Sequence, residues 1–132
     1  MTFADTAYFL ALLNPRDEWH DAAVRHSQTV SGPLVTTTWV LVELGDALAT
    51  TRNRQWFPDF IADLASTSHV RIIPAGEDGF RRGVAFYRAR PDKEWSLTDC
   101  LSFEAMREFG VRDALTSDQH FVQAGFRALL RE

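Results

Sequence analysis

The stretch "PLVTTTWVLVELGDALATTR", residues 33–52, changes its period partway along. Leu34 to Thr36 read as a short strand, and the chain then enters a helix capped near Thr37 or Thr38, whose hydroxyls can take up the orphan amides of a first turn. Val40, Leu41, Leu44 and Leu48 recur at helical spacing and form a buried stripe. Glu43 stands one residue off that stripe, beside Trp39 and Ala47, at the edge of the core.

The same order, strand and then helix, repeats on either side. Upstream, "MTFADTAYFLALL" (1–13) holds a short strand around Thr2 to Asp5 and an apolar segment, Tyr8 to Leu13, stopped by Asn14-Pro15. "DEWHDAAVRHSQ" (17–28) places Trp19, Ala22, Ala23 and His26 at helical spacing before the Gly32-Pro33 break. Downstream, "RQWFPDFIADLAST" (54–67) is an amphipathic helix in which Pro58 fits only a first turn or a kink. "HVRIIP" (69–74) is a strand, and "GEDGFRRGVAFYRAR" (76–90) a helix expected to carry Phe80, Val84 and Tyr87 inward. In "EWSLTDCLSF" (94–103) Ser96 and Asp99 have the spacing of a capping box, and that helix should run to about Phe109 and close at Gly110. "VRDALTSDQHF" (111–121) is a strand through Ala114 and Leu115 that ends at Asp118 before one turn of helix, and "AGFRALLRE" (124–132) is a last short strand. Strands alternating with helices on this scale predict an α/β fold with a mainly parallel sheet and helices on both faces. In such folds ligands gather at the carboxyl ends of the strands.

With 132 residues, 45% of them hydrophobic and 12% aromatic, the chain is expected to form one domain over residues 1–132 around one core. It has no long apolar run and no basic, apolar leader, so a soluble, cytoplasmic protein away from membranes is expected. The lone cysteine, Cys100, excludes an internal disulfide and a cysteine zinc cage, and reads as a buried helix residue. A net charge of −4 argues against nonspecific coating of nucleic acid. Thirteen of the 14 bases are Arg, however, and Arg81, Arg82, Arg88, Arg90 and Lys93 crowd one stretch, as either a solvated face or a set of phosphate forks.

Four acids lie where this architecture can bring them to one rim: Asp5 after the first strand, Glu43 in the helix after the second, Asp99 at a helix start, and Asp118 after a late strand. Singly, each has an ordinary reading. Asp5 and Asp118 can be caps, Asp99 can complete its box, and Glu43 can pair with an Arg. Three of them, however, follow apolar strand residues or sit just inside apolar helices, where water is scarce and mutual repulsion is costly unless a cation neutralises it. Clustered carboxylate oxygens suit Mg²⁺ or Mn²⁺, and phosphodiester hydrolysis is the natural chemistry of such a site.

"FADTAYFLALL" with Asp5, "TTWVLVELGDAL" with Glu43, "WSLTDCLSF" with Asp99 and "ALTSDQHFVQAGF" with Asp118 span nearly the whole chain, and in this order they resemble the PIN-domain family, more narrowly the VapC-type toxins of type II toxin–antitoxin systems. The resemblance implies a three-layer α/β/α sandwich and a metal-dependent endoribonuclease. It also implies a homodimer neutralised by a cognate antitoxin, with tRNA, rRNA or mRNA as substrate. Asp5, Glu43 and Asp99 would hold the principal Mg²⁺ or Mn²⁺, and Asp118 would complete that site or help hold a second ion. Thr6, Thr116 and Ser117 are candidate accessory hydroxyls, although capping or backbone bonding is their commoner use. Arg88, Arg90 and Lys93 are candidate contacts to RNA phosphates. His120, beside Asp118, is read as structural rather than as a general base. Trp19, Trp39, Trp56 and Trp95 are read as packing residues, and Asp46, Asp92, Glu94, Glu104 and Asp113 as surface charges or local ion pairs.

Three rivals share parts of this pattern. A PIN-like module that binds RNA or protein without cutting has no reason to keep four costly carboxylates. A metal-dependent phosphatase with Asp5 as nucleophile would want a second acid at residue 7, which is Ala7. A DNA or flap nuclease shares the site chemistry but would want a long basic insertion.

Overall fold

The computed structural model describes all 132 residues. Its elements are β1 (Thr2–Ala4), α1 (Thr6–Leu13), α2 (His20–Thr29), β2 (Leu34–Thr37), α3 (Thr38–Leu48), α4 (Trp56–Ala65), β3 (Val70–Ile73), α5 (Glu77–Ala89), α6 (Leu97–Glu108), β4 (Asp113–Leu115), α7 (Gln119–Gln123) and β5 (Arg127–Ala128), with a closing 3-10 turn, Leu129–Arg131. The strands form one five-stranded sheet in the order β3-β2-β1-β4-β5. Every pairing is parallel, where the sequence predicted a mainly parallel sheet. Helices flank it in a three-layer α/β/α arrangement.

From β1 the chain builds outward to β2 and β3 on one side, then returns to lay β4 and β5 on the other. The direction of winding reverses between β1 and β4, and the carboxyl ends of those two strands frame the crevice where open α/β sheets hold ligands. Register places Ala4 opposite Leu115, so the residues that leave the sheet next, Asp5 and Thr116, emerge side by side.

Burial follows the predicted stripes. Val40 and Leu44 are fully enclosed and Leu41 and Leu48 nearly so, packed with Phe3, Val35, Phe103, Met106, Leu115 and Phe121 in one apolar cluster. Phe103 meets Trp95 and Phe121 edge to face, with ring centres 5.2 and 5.0 Å apart. Each such ring contributes roughly 1.5–3 kcal/mol through burial. Pro58 lies in the first turn of α4, the tolerated position. Gly110 ends α6 at φ 65°, a conformation that costs a side-chain-bearing residue more than glycine. No helix is long and apolar enough to cross a membrane.

One expected face is wrong. Phe80 and Tyr87 point outward from α5, 39% and 54% exposed. The helix is seated instead through Gly83 and Phe86. A Cβ on Gly83 would come within 2.5 Å of Leu101 Cδ2, so the missing side chain is what lets α5 settle on α6. Apolar spacing identified a stripe, but the packing surface was chosen by the absence of a side chain, which a count of hydrophobic residues passes over.

Candidate metal and catalytic site

Asp5 is 4% exposed and occupies the position before α1 where a cap would stand, yet it makes no side-chain cap bond. Its backbone amide donates to the Leu115 carbonyl at 3.2 Å, which ties the end of β1 to β4. Its carboxylate Oδ2 accepts from the Thr116 hydroxyl at 2.8 Å. That hydroxyl in turn accepts from the Asp118 amide at 3.0 Å, so one small side chain links two of the acids. Asp118 caps α7 through the His120 amide, 2.8 Å from Oδ1.

Asp99 starts α6 in the capping box read from the sequence: the Ser96 hydroxyl accepts from the Asp99 amide at 3.0 Å, and Asp99 Oδ2 accepts from the Ser96 amide at 3.1 Å. The same Oδ2 lies 3.0 Å from His120 Nδ1, which donates to it in the tautomer that carries its proton there. Both interactions fall on one oxygen, leaving Oδ1 free of protein hydrogen bonds. Asp99, Asp118 and His120 each present a ligand atom, and the three atoms lie within 4.8 Å of one another. His120, read from sequence as structural, is thus part of the polar cluster. Its neighbourhood with Asp118 was visible in the sequence, but its reach to Asp99, across 21 residues, was not.

Electrostatics connect the four acids. The Asp5 carboxyl is raised to about 7, chiefly by burial and in smaller part by the charges of Asp99 and Glu43, against the opposing bonds from Thr116 and the Thr6 backbone. Asp99 is also raised, first by burial and then by the charge of Asp118, while His120 and Ser96 oppose the shift. Glu43 is half-buried on α3, and the Arg pairing open to it in the sequence does not form. None of the four acids meets Lys or Arg; His120 is the one basic group paired with any of them. Hard carboxylate oxygens without a cationic side chain among them fit Mg²⁺ or Mn²⁺; the group within ligand reach of one another is Asp99, Asp118 and His120, to which Asp5 and Glu43 do not belong.

The accessory hydroxyls divide. Thr116 serves Asp5, as described. Thr6 donates to the Val40 carbonyl at 3.5 Å, joining α1 to α3. Ser117 contributes its carbonyl, which accepts from Arg131 at 2.9 Å, and its side chain has no hydrogen bond to the acids. Among the bases, Arg90 forks onto Asp92 at 3.0 and 2.9 Å. Arg88, Arg90 and Lys93 do converge, around a cleft of about 310 Å³. Asp92, Glu104 and Asp113 are the local ion pairs expected of them, with Arg90, Arg107 and Arg127. Trp95 is buried, and Trp19 and Trp56 pack against the core.

No protein-family model matches the chain. In sequence it is 28% identical over 126 residues to the 23S rRNA-specific endonuclease VapC20 of Mycobacterium tuberculosis, covering 96% of this chain and 95% of that one. The crystal structure of that protein, described as a Sarcin-Ricin loop cleaving toxin, superposes with a TM-score of 0.88 at 25% identity over 96% of both chains. Two more distant structures share the fold: FitAcB from Neisseria gonorrhoeae, TM-score 0.68 at 17% identity over 97% of this chain and 95% of that one, and VapBC2 from Rickettsia felis, bound to a fragment of promoter DNA, TM-score 0.67 at 10% identity over 96% of each. In sequence and in fold the chain is thus similar to VapC20, and in fold to FitAcB and VapBC2.

Proposed function

We propose that the chain is a metal-dependent endoribonuclease, one PIN domain over residues 1–132, acting in the cytoplasm as the toxin of a toxin–antitoxin pair. The observation that carries this reading is Asp5: buried, raised to about 7, surrounded by further acids and unpaired with any base. Such a group is tolerable where a dication neutralises it.

Asp5, Glu43, Asp99 and Asp118 would hold Mg²⁺ or Mn²⁺. When bound, the ion supplies positive charge beside the scissile phosphate and lowers the pKa of the attacking water. The chain's own part is to keep the carboxylates in place before RNA arrives. Thr116 fixes Asp5, the Ser96 amide and His120 fix Asp99, and the Thr116 hydroxyl holds the backbone from which Asp118 projects. Preorganised oxygens need no rearrangement as charge develops on the phosphate. The reaction is hydrolysis with in-line attack by water, leaving a 3′-hydroxyl and a 5′-phosphate, and no covalent enzyme intermediate is required.

Ribosomal RNA, the substrate class in the name of the Mycobacterium tuberculosis relative, is the first RNA to test, ahead of transfer and messenger RNA. An antitoxin partner is supported by the likeness to VapBC2. Assembly as a homodimer rests on the family resemblance and is checked by sedimentation. The deciding experiment incubates purified protein with total RNA and Mg²⁺ or Mn²⁺, beside Asp5→Asn and Asp99→Asn. Discrete fragments from the wild type alone are expected; identical fragments from all three proteins reject the assignment of these acids.

A further inference from the structure

At the end of α5 and in the segment after it, Tyr87, Arg88, Arg90 and Lys93 surround the cleft of about 310 Å³, which Trp95 and Cys100 also line. We propose that this cleft is a subsite for one unpaired nucleotide of the RNA, with its base stacked on Tyr87 and its phosphate held by Arg88 and Lys93, so that the protein selects loops over duplex. The inference rests on the nuclease reading above and says where the substrate lies beside the acids.

Position comes first. Cys100 is the residue after Asp99 in α6, and Trp95 leads directly into Ser96, whose amide holds the Asp99 carboxylate. The Trp95 indole N–H also donates at 3.0 Å to Gln123 on α7, the helix that carries His120. The cleft, built on the end of α5 and the connection into α6, therefore adjoins the start of α6, where Asp99 stands, and is tied through Trp95 to α7.

The cleft is assembled before any ligand enters. Trp95 is 4% exposed and lies nearly parallel to Phe86, with ring centres 5.6 Å apart and planes 15° from each other. Arg90 sits 5.2 Å and Lys93 5.8 Å from the Trp95 ring centre, so the indole seats two of the cations. The back wall is thus ordered in advance, and the ordering left to binding falls on the exposed Tyr87 and Arg88.

The bases have different tasks. Arg90 has committed its fork to Asp92 and acts as a wall. Arg88 and Lys93 form no ion pair, which leaves their charge for a phosphate. Tyr87 is the aromatic ring that the packing of α5 through Gly83 turned outward, beside these cations. At about 310 Å³ the cleft has the size of a small-molecule pocket, far below what a helix of RNA would need. Sequence-selective RNA recognition acts on splayed bases stacked on aromatic or guanidinium planes, and this cleft offers both.

The test uses full-length protein in the Asp5→Asn background, which silences cutting, and fluorescence anisotropy with a labelled RNA hairpin bearing an unpaired loop against a blunt duplex of the same composition. The hairpin should bind about 10-fold more tightly than the duplex. Tyr87→Ala should weaken hairpin binding about 10-fold while Tyr87→Phe and Tyr87→Trp retain it, because stacking needs the ring and not the hydroxyl. Arg88→Ala with Lys93→Ala should lower the slope of log affinity against log salt by about 1.4, the value for two lost phosphate contacts on a single strand. Equal binding of hairpin and duplex overturns the proposal, as does an unchanged hairpin affinity in a Tyr87→Ala protein with wild-type circular dichroism. So does a Tyr87→Ala defect confined to binding of an antitoxin, which would make the cleft a protein contact. The two readings separate cleanly. Cutting by otherwise wild-type protein that is indifferent to Tyr87 rejects the subsite and leaves the nuclease, whereas Tyr87-dependent loop binding by a protein that cuts no RNA keeps the subsite and rejects the nuclease.

Discussion

Two aspartates in this protein have opposite environments. Asp5, at the carboxyl rim of the sheet, is buried and raised to about 7, with acids for neighbours. Asp92, in the connection between α5 and α6, is exposed and lowered to about 2, chiefly by the hydrogen bonds from Arg90. The residue type is the same, and the difference is compensation. A carboxylate in water beside a guanidinium is a local ion pair worth little to stability. A carboxylate withdrawn from water without a base is a cost to the fold, one that the dication of the proposed function would offset.

That contrast can be broken most severely at the rim. Asp5→Asn and Asp99→Asn should each reduce RNA cleavage by about 100-fold or more, at least the loss typical of outer-shell partners of metal ligands, measured as fragment yield from ribosomal RNA. Next in size is the pH dependence of stability. Because the folded pKa of Asp5, about 7, lies above the ordinary 3.8, the unfolded chain releases this proton first, and stability is fully present below pH 3.8 and lost as pH rises toward and through 7. The full loss is about 4 kcal/mol for this group. Urea unfolding in chelator at pH 5 and pH 8 should show that decline, Asp5→Asn should flatten it, and Mn²⁺ should offset it at pH 8. A slope unaltered by Asp5→Asn would remove the contrast.

Smaller effects sharpen the comparison. Thr116→Val removes the hydroxyl that favours ionised Asp5, and calorimetry should find Mn²⁺ binding weaker by about 10-fold, with the fold intact. Ser96→Ala breaks the capping box and should cost about 1 kcal/mol in thermal or chemical unfolding, with a further reduction in cleavage because Asp99 loses part of its support. Smallest of all, Asp92→Asn should leave the urea unfolding midpoint essentially where it is, the ordinary result for an exposed pair.

Much of the fold was legible from local pattern. Ser96 and Asp99 announce a helix start because both partners of the box lie within one turn, and α6 begins where they say. Of the two caps the sequence offered for α3, Thr37 and Thr38, it is Thr37 that accepts from the Val40 amide, at 3.1 Å. Asp5, Asp99 and Asp118 were legible as candidates because each borders a strand end or a helix start, and Glu43 because it stands at the edge of a buried helical stripe. The face of α5 was illegible, since Gly83 leaves no mark on an apolar stripe and acts only through Leu101, 18 positions on. His120 was illegible for a related reason: its partner at Asp99 arrives on another helix.

What the sequence determined by itself was the alternation of strand and helix, the caps and the identity of the acids, because those depend on neighbours a few residues away. Tertiary structure alone decided which side chain supports which acid. Thr116 reaches Asp5 across 111 positions because two parallel strands are paired in register, and neither residue's spacing along the chain contains that contact. The raised carboxyl of Asp5 has the same origin: burial and repulsion belong to the assembled sheet, where the hydrophobic effect encloses the end of β1 and brings other acids toward it.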